Sequence, residues 1–133
     1  MKTKLLLTLL FVIIISSSSS VYNLVDAHST RIMDTQKQID LKGALTESTL
    51  RSFSIPVEVF QSSNSILINY LEDLSNISIE ITDGLGQLVY LNKVNTVTGD
   101  FLMIDISDWE KGSYTISFRN SSGGCISGDF DIV

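Results

Sequence analysis

The feature that most restricts how this chain can fold is an alternation of apolar and polar residues with a period of two, which recurs from residue 54 onward. It is clearest over residues 77–82, which run Ile-Ser-Ile-Glu-Ile-Thr. Successive side chains of a strand point to opposite faces of a sheet, so this pattern predicts strands with one buried face. After residue 50 the sequence has no convincing apolar period of 3.6, the period typical of a helix.

The alternation predicts about seven short strands, separated by turns rich in Gly, Asn, Asp and Ser. A sheet with one apolar face must bury it against a second layer. The chain is therefore predicted to be all-β, with an immunoglobulin-like antiparallel β-sandwich over residues 51–133. Pro56 cannot donate to a ladder, so its strand should start there or lie at an edge. The residues predicted to point into the core are Ile66, Ile68, Tyr70, Ile77, Ile79, Ile81, Ile104, Ile106, Tyr114, Ile116 and Phe118.

Two local patterns predict turns within the sandwich. Asp83-Gly84-Leu85-Gly86 is interpreted as a hairpin whose glycines take positive φ. A phosphate-binding loop would need a following helix, and a strand pattern follows instead. The second pattern is Gly112-Ser113-Tyr114, which is typical of a tyrosine corner, where the phenol hydroxyl bonds to main chain upstream. The alternative for the corner is an exposed aromatic pair, Trp109 and Tyr114, that would hold a sugar or a peptide.

Residues 1–27 have the pattern of a secretory signal peptide. Lys2 and Lys4 precede a mostly apolar run at 5–15, and five serines follow at 16–20. The run is too short to span a bilayer, which takes roughly 20 residues. Cleavage after Ala27 would make His28 the new N-terminus, and cleavage within the serines is the alternative. The product is expected in the periplasm, at the cell surface or outside the cell, without a membrane span.

Residues 28–50 are mostly polar, with one short apolar stretch at 39–45. They are predicted to form a flexible lead-in that could include an edge strand. Removing Lys2, Lys4 and Asp26 with the signal peptide leaves 7 Lys and Arg against 14 Asp and Glu, a net charge of −7. Such an acidic chain is not expected to bind nucleic acid, whose phosphates require clustered cations.

The sequence contains few of the residues that perform chemistry. Its one histidine is His28 and its one cysteine is Cys125, so a histidine-based catalytic or metal site lacks its central member. We therefore predict no catalytic, cofactor or metal site. A group of carboxylates could bind calcium through oxygen ligands, but its spacing matches no known loop. The group comprises Asp100, Asp105, Asp108 and Glu110. Cys125 is interpreted as a small buried thiol, or alternatively as an exposed one able to form an intermolecular disulfide.

The stretches at 77–90 and 103–118 resemble a family of small exported domains of unknown function from Bacteroidetes bacteria. The segments at 39–43 and 54–59 fit the same pattern, so the resemblance covers nearly all of the chain after residue 27. It implies a sandwich of the immunoglobulin and fibronectin type III kind, and it carries no catalytic residues. The same central stretches are more weakly similar to the C-terminal sorting domains of the type IX secretion system.

These observations predict a non-catalytic module that binds a protein or a glycan at the cell envelope or outside the cell. Sandwiches commonly bind their partners through loops or an exposed edge strand. The alternative is a structural subunit that assembles by strand addition. The sequence leaves the ligand-binding residues and the oligomeric state open.

Overall fold

The computed structural model describes residues 35–45 and 54–133, and within these ranges the chain forms nine strands and no helix. The predicted signal peptide and its predicted cleavage site at Ala27 and His28 lie outside the described residues. The strands are β1 (Lys37–Ile39), β2 (Lys42–Ala44), β3 (Val57–Gln61), β4 (Ser65–Tyr70), β5 (Leu74–Asp83), β6 (Leu88–Thr96), β7 (Phe101–Asp105), β8 (Gly112–Arg119) and β9 (Cys125–Ile132).

The strands form two sheets, and every pairing between neighbours is antiparallel. The first sheet has the order β1-β3-β4-β7, and the second has the order β2-β9-β8-β5-β6. Apolar residues from both sheets make one core. This arrangement confirms the predicted class, an all-β antiparallel sandwich, with nine strands in place of about seven. The chain enters β3 directly after Pro56, as the missing amide hydrogen of that residue predicts.

The predicted inward parity is correct at every core position. All eleven residues predicted to lie inside are buried, and six of them have 0% exposure. The alternation is visible strand by strand: on β5 the three isoleucines are buried, while Ser78 and Glu80 between them are partly exposed. The core also contains six buried apolar residues outside that prediction, which are Ile39, Leu45, Val57, Val59, Ile126 and Phe130.

The segment at 37–45 is more ordered than the sequence suggests. It forms two edge strands where the sequence suggested one: β1 pairs with β3 in the first sheet, and β2 pairs with β9 in the second. The chain crosses between the sheets at Asp40 and Leu41, and both Ile39 and Leu45 are buried in the core. This part of the predicted flexible lead-in therefore belongs to the sandwich.

The turn between β5 and β6 is a hairpin, as predicted, but only one of its glycines has the expected conformation. Gly86 has φ +80°, whereas Gly84 has no positive φ. The Asp83 carboxylate organises the turn, since its Oδ1 accepts hydrogen bonds from the amides of Leu85 and Gln87, both at 2.9 Å. The side chain of Asp83 thus organises an Asx-type turn, in which Gly84 has an ordinary backbone conformation and Gly86 alone is left-handed.

Candidate functional site

The aromatic group near the start of β8 is a tyrosine corner. The Tyr114 hydroxyl donates a 2.6 Å hydrogen bond to the carbonyl of Glu110, which lies upstream in the same connection. The Tyr114 ring lies 5.4 Å from Trp109 and 5.5 Å from Phe130, measured between centroids. Tyr114 is buried and Trp109 packs against the core. The pair therefore closes one end of the core, and the alternative of an exposed aromatic platform is not supported.

The two buried tyrosines allow a matched test of this corner. Tyr114→Phe leaves the Glu110 carbonyl without its donor and should lower the free energy of unfolding by about 1 to 3 kcal/mol. Tyr70 is equally buried, but its hydroxyl has no hydrogen-bond partner in the described structure. Tyr70→Phe removes this unpaired group and should leave stability unchanged or higher. Urea unfolding measures both variants; equal midpoints for Tyr114→Phe and the parent would contradict the structural role of the corner.

Burial of the Tyr70 hydroxyl also raises the pKa of this group to about 12, with smaller contributions from Tyr90 and Asp100. Burial disfavours the phenolate because the charged form loses its hydration. The folded state therefore holds this proton to a higher pH than the unfolded chain does. Stability contributed by neutral Tyr70 is complete below pH 10, the ordinary value, and falls as the pH rises toward 12.

The four acidic residues considered for calcium do not come together. Within residues 35–45 and 54–133, no three His, Cys, Asp or Glu side chains are placed to hold a metal ion. Asp105 accepts hydrogen bonds from the amide (2.9 Å) and the hydroxyl (2.6 Å) of Ser107, and these bonds lower its pKa. Asp100 accepts one from the amide of Val97 at 3.0 Å. Both of these carboxylates shape turns.

Cys125 lies at the first position of β9, opposite Arg119 of β8 and Ala44 of β2. Its side chain is half-buried, and its Sγ faces the carbonyl of Ile126. The exposure of Cys125 is therefore intermediate between the buried thiol and the exposed thiol that the sequence left open. At Cys125, β9 is paired with β2 on one side and with β8 on the other, so the thiol lies on a face of the sheet.

Among residues within strands, the most exposed apolar side chains belong to β6 and β7, which lie on one lateral side of the sandwich. β6 and β7 are edge strands of different sheets, and a short turn joins them at residues 97–100, so both edges lie on the same side. We call this the open side. On β7, Phe101 is 68% and Met103 is 59% exposed, and on β6 Leu91 is 53% exposed. The opposite side carries the three-residue edges β1 and β2.

The backbone of β7 also faces outward at alternate residues. The hydrogen bonds from Tyr70 N to Asp100 O and from Ile106 N to Asn64 O, both 2.9 Å, set the phase of its ladder with β4. In an antiparallel ladder the residues between bonded pairs direct their N–H and C=O away from the partner strand. Phe101, Met103 and Asp105 are those residues. The edge therefore presents unpaired backbone groups beside exposed apolar side chains.

A polar groove lies on the outer face of the second sheet. It has a volume of about 290 Å³ and is lined by Asn76, Ser78, Glu80, Lys93, Val94, Asn95, Arg119, Asn120 and Ser121. Across its middle, Ser78 of β5 is paired with Lys93 of β6 on one side and with Arg119 of β8 on the other. The Arg119 Nε lies 3.4 Å from the Glu80 Oε2. We call this the sheet groove.

Neither surface was among the sites predicted from the sequence. Phe101 and Met103 have the parity opposite to the buried Ile104, so the alternation of β7 already indicates that they point outward. Lys93 and Arg119 are far apart in the sequence, and only the strand register brings them to one groove. The first surface thus had a signal in the sequence, and the second had none.

Two antiparallel sheets around one core, with a tyrosine corner at the start of β8, define an immunoglobulin-like β-sandwich. A solved structure of a DUF3244 family protein from Bacteroides vulgatus, described as having an immunoglobulin-like β-sandwich fold, is similar to this chain with a TM-score of 0.60. The two are 22% identical, and the match covers 72% of this chain and 97% of the other.

Residues 38–132 match DUF3244, a family of domains of unknown function. The chain belongs to this family, which confirms the resemblance to a sandwich domain of unknown function. No curated protein matches the chain. In the part of the chain that the structure describes, no helix has the length and hydropathy to cross a membrane.

Proposed function

We propose that this protein is an exported, non-catalytic recognition module that binds a partner protein along its open side. The observation that carries the proposal is the edge strand β7, where Phe101 and Met103 are more than half exposed beside outward-facing backbone groups. Soluble sandwiches usually protect such edges with charged residues, proline or a covering segment. An edge strand that exposes Phe101 and Met103 beside free backbone groups is suited to accept an extended strand from a partner.

The charge around this edge favours a basic partner strand. Asp100, Asp105 and Asp108 lie in or next to β7, and the chain after residue 27 has a net charge of −7. A second copy would bring the same carboxylates against each other, whereas Lys and Arg side chains of a partner would face them favourably. The second candidate function, a structural subunit that assembles by strand addition, uses the same edge and is distinguished by its oligomeric state.

The test places a charge on the edge without disturbing the core. The double variant Phe101→Lys with Met103→Lys should abolish partner binding, because Lys on an edge strand opposes strand addition. Leu85→Lys, at the β5–β6 turn where the side chain is 87% exposed, is the matched control and should bind normally. Partners captured from native envelope and medium fractions would be purified and titrated against all three proteins.

Sizing with light scattering over a range of concentrations completes this experiment. A recognition module should remain monomeric, with a purified partner that binds the parent and Leu85→Lys but not the double variant. Concentration-dependent oligomers that the double variant abolishes would show the assembly subunit instead. A partner that binds the double variant as tightly as the parent would exclude the β7 edge as the binding site.

Export is a separate part of the proposal, supported by the pattern of residues 1–27. The native protein should have its N-terminus at or near His28 after removal of the signal peptide. N-terminal sequencing of protein purified from native cells and medium measures this directly. Recovery of the protein from the cell interior with Met1 intact would contradict export.

A further inference from the structure

The sheet groove brings two cations to either side of a small hydroxyl residue. Directly opposed residues on neighbouring antiparallel strands have Cβ atoms about 4.5 to 5.5 Å apart. Lys93 and Arg119 each oppose Ser78, so their side chains rise on both sides of it. Ser78 is too small to fill the space between them, and its hydroxyl forms the floor of the groove. An anion placed here would have donors on three sides.

The distribution of charge makes this placement significant. From residue 54 onward the sequence has three cationic side chains, Lys93, Lys111 and Arg119, and two of them line the sheet groove. Glu80 is the one carboxylate in the lining, and it contacts Arg119. The groove therefore carries a net charge of about +1 on an otherwise acidic surface, which suits a singly charged anion. The ion pair also holds the Arg119 side chain beside the groove.

We propose that the sheet groove binds a singly charged acidic sugar, with its carboxylate or sulfate over Ser78 and between Lys93 and Arg119. This site shares strand β6 with the open side but lies on the outer face of the second sheet, and it does not depend on the proposed partner. Arginine and lysine give charge-assisted hydrogen bonds to such groups. Together the two surfaces would let one module attach a protein partner to an acidic glycan.

The rest of the lining suits a sugar better than a peptide. Val94 is the one apolar residue in the groove, and amide or hydroxyl side chains make up most of the remainder. At one end of the groove Asn76 has φ +52°, and its backbone N–H donates a 2.8 Å hydrogen bond to the Asn95 Oδ1. This bond holds the Asn95 side chain at the rim, where its amide nitrogen can donate to a sugar hydroxyl. A volume of about 290 Å³ is at the small end for ligand pockets, consistent with a short glycan segment.

The test is an NMR titration of ¹⁵N-labelled protein with a uronic acid disaccharide, a sulfated disaccharide and a neutral disaccharide. We expect saturable shift changes centred on Ser78, Lys93 and Arg119 with at least one of the acidic sugars and none with the neutral sugar. Comparison of the two acidic sugars identifies the charged group. Lys93→Gln with Arg119→Gln should weaken binding at least tenfold, and Lys111→Gln, a cation outside the groove, should change it less than twofold.

A second variant guards against indirect effects of the charge changes. Ser78→Leu keeps both cations but fills the floor of the groove, so it should also abolish binding while the amide spectrum keeps its dispersion. An acidic peptide, such as a short aspartate oligomer, is the competing ligand. The proposal is overturned if neither acidic sugar saturates, if the neutral sugar or the peptide binds equally well, or if the groove variants bind like the parent.

Discussion

Ile79→Ala is expected to lower the free energy of unfolding by about 2 to 5 kcal/mol, which is the usual cost of deleting a buried isoleucine side chain. Ile79 has 0% exposure and lies on β5, which is paired on both sides, with Asn92 of β6 and Phe118 of β8 across from it. Fully paired strands cannot easily collapse into the cavity that the substitution leaves. A domain of this size has only about 5 to 15 kcal/mol of total stability, so the loss is large.

Glu80 is the matched control because it is the next residue on the same strand and points to the opposite face. Its Oε2 contacts the Arg119 Nε at 3.4 Å, and both side chains are partly exposed. Such surface ion pairs contribute about 0 to 1 kcal/mol, so Glu80→Gln should change stability by no more than about 0.5 kcal/mol. Urea unfolding of both variants gives the comparison. Similar, small losses for the two would contradict the assignment of Ile79 to the core.

The fold could be predicted from the sequence wherever a strand is long enough to show its period. On β5 three successive alternations identify the buried face, because only one face of the strand contacts the other sheet. The corner at Tyr114 was equally predictable, since its hydrogen bond to Glu110 spans only four residues. Local spacing specifies a local contact, so these features needed no knowledge of the partner strands.

The segment at 37–45 could not be predicted in the same way. β1 and β2 have three residues each, too few to establish a period of two. β1 is held by its pairing with β3, whereas β2 and the crossing before it approach β9 closely, and that approach depends on glycines elsewhere in the chain. A Cβ on Gly128 would lie 2.6 Å from the Asp40 carbonyl oxygen, and one on Gly124 would lie 2.7 Å from the Leu45 Cα. The sequence shows these glycines but not what approaches them.

The sheet groove was unpredictable for a related reason. Lys93 and Arg119 both lie opposite Ser78, and only the register of β5 with β6 and with β8 places them there. The β5–β6 ladder contains two irregularities, between Leu74 and Ile77 and between Ile81 and Thr82, and each shifts the pairing. Since a shift of one residue moves a side chain to the other face, the sequence pattern alone does not say which cations share a surface.

Gly43→Ala is expected to detach β2 from β9 and to lower the free energy of unfolding by about 2 to 4 kcal/mol, the sum of backbone strain and overpacking. Gly43 has φ +113°, which L side chains rarely adopt. Its added Cβ would overlap the Cys125 carbonyl oxygen and lie 3.3 Å from the Ile126 Cα. Both contacts are backbone of the paired strand, so neither can move aside without breaking the ladder.

Gly99→Ala separates strain from overlap, because Gly99 has φ +90° but an added Cβ there meets nothing within 4 Å. It should cost only the strain, about 1 to 2 kcal/mol. Hydrogen exchange then locates the damage: in Gly43→Ala the amides of β1 and β2 should lose protection while those of β5 and β8 keep it, since local openings involve the least-buried elements first. Protection of β2 that survives Gly43→Ala would mean that β9 tolerates the added methyl group. The close approach would then not be what joins this segment to the sandwich.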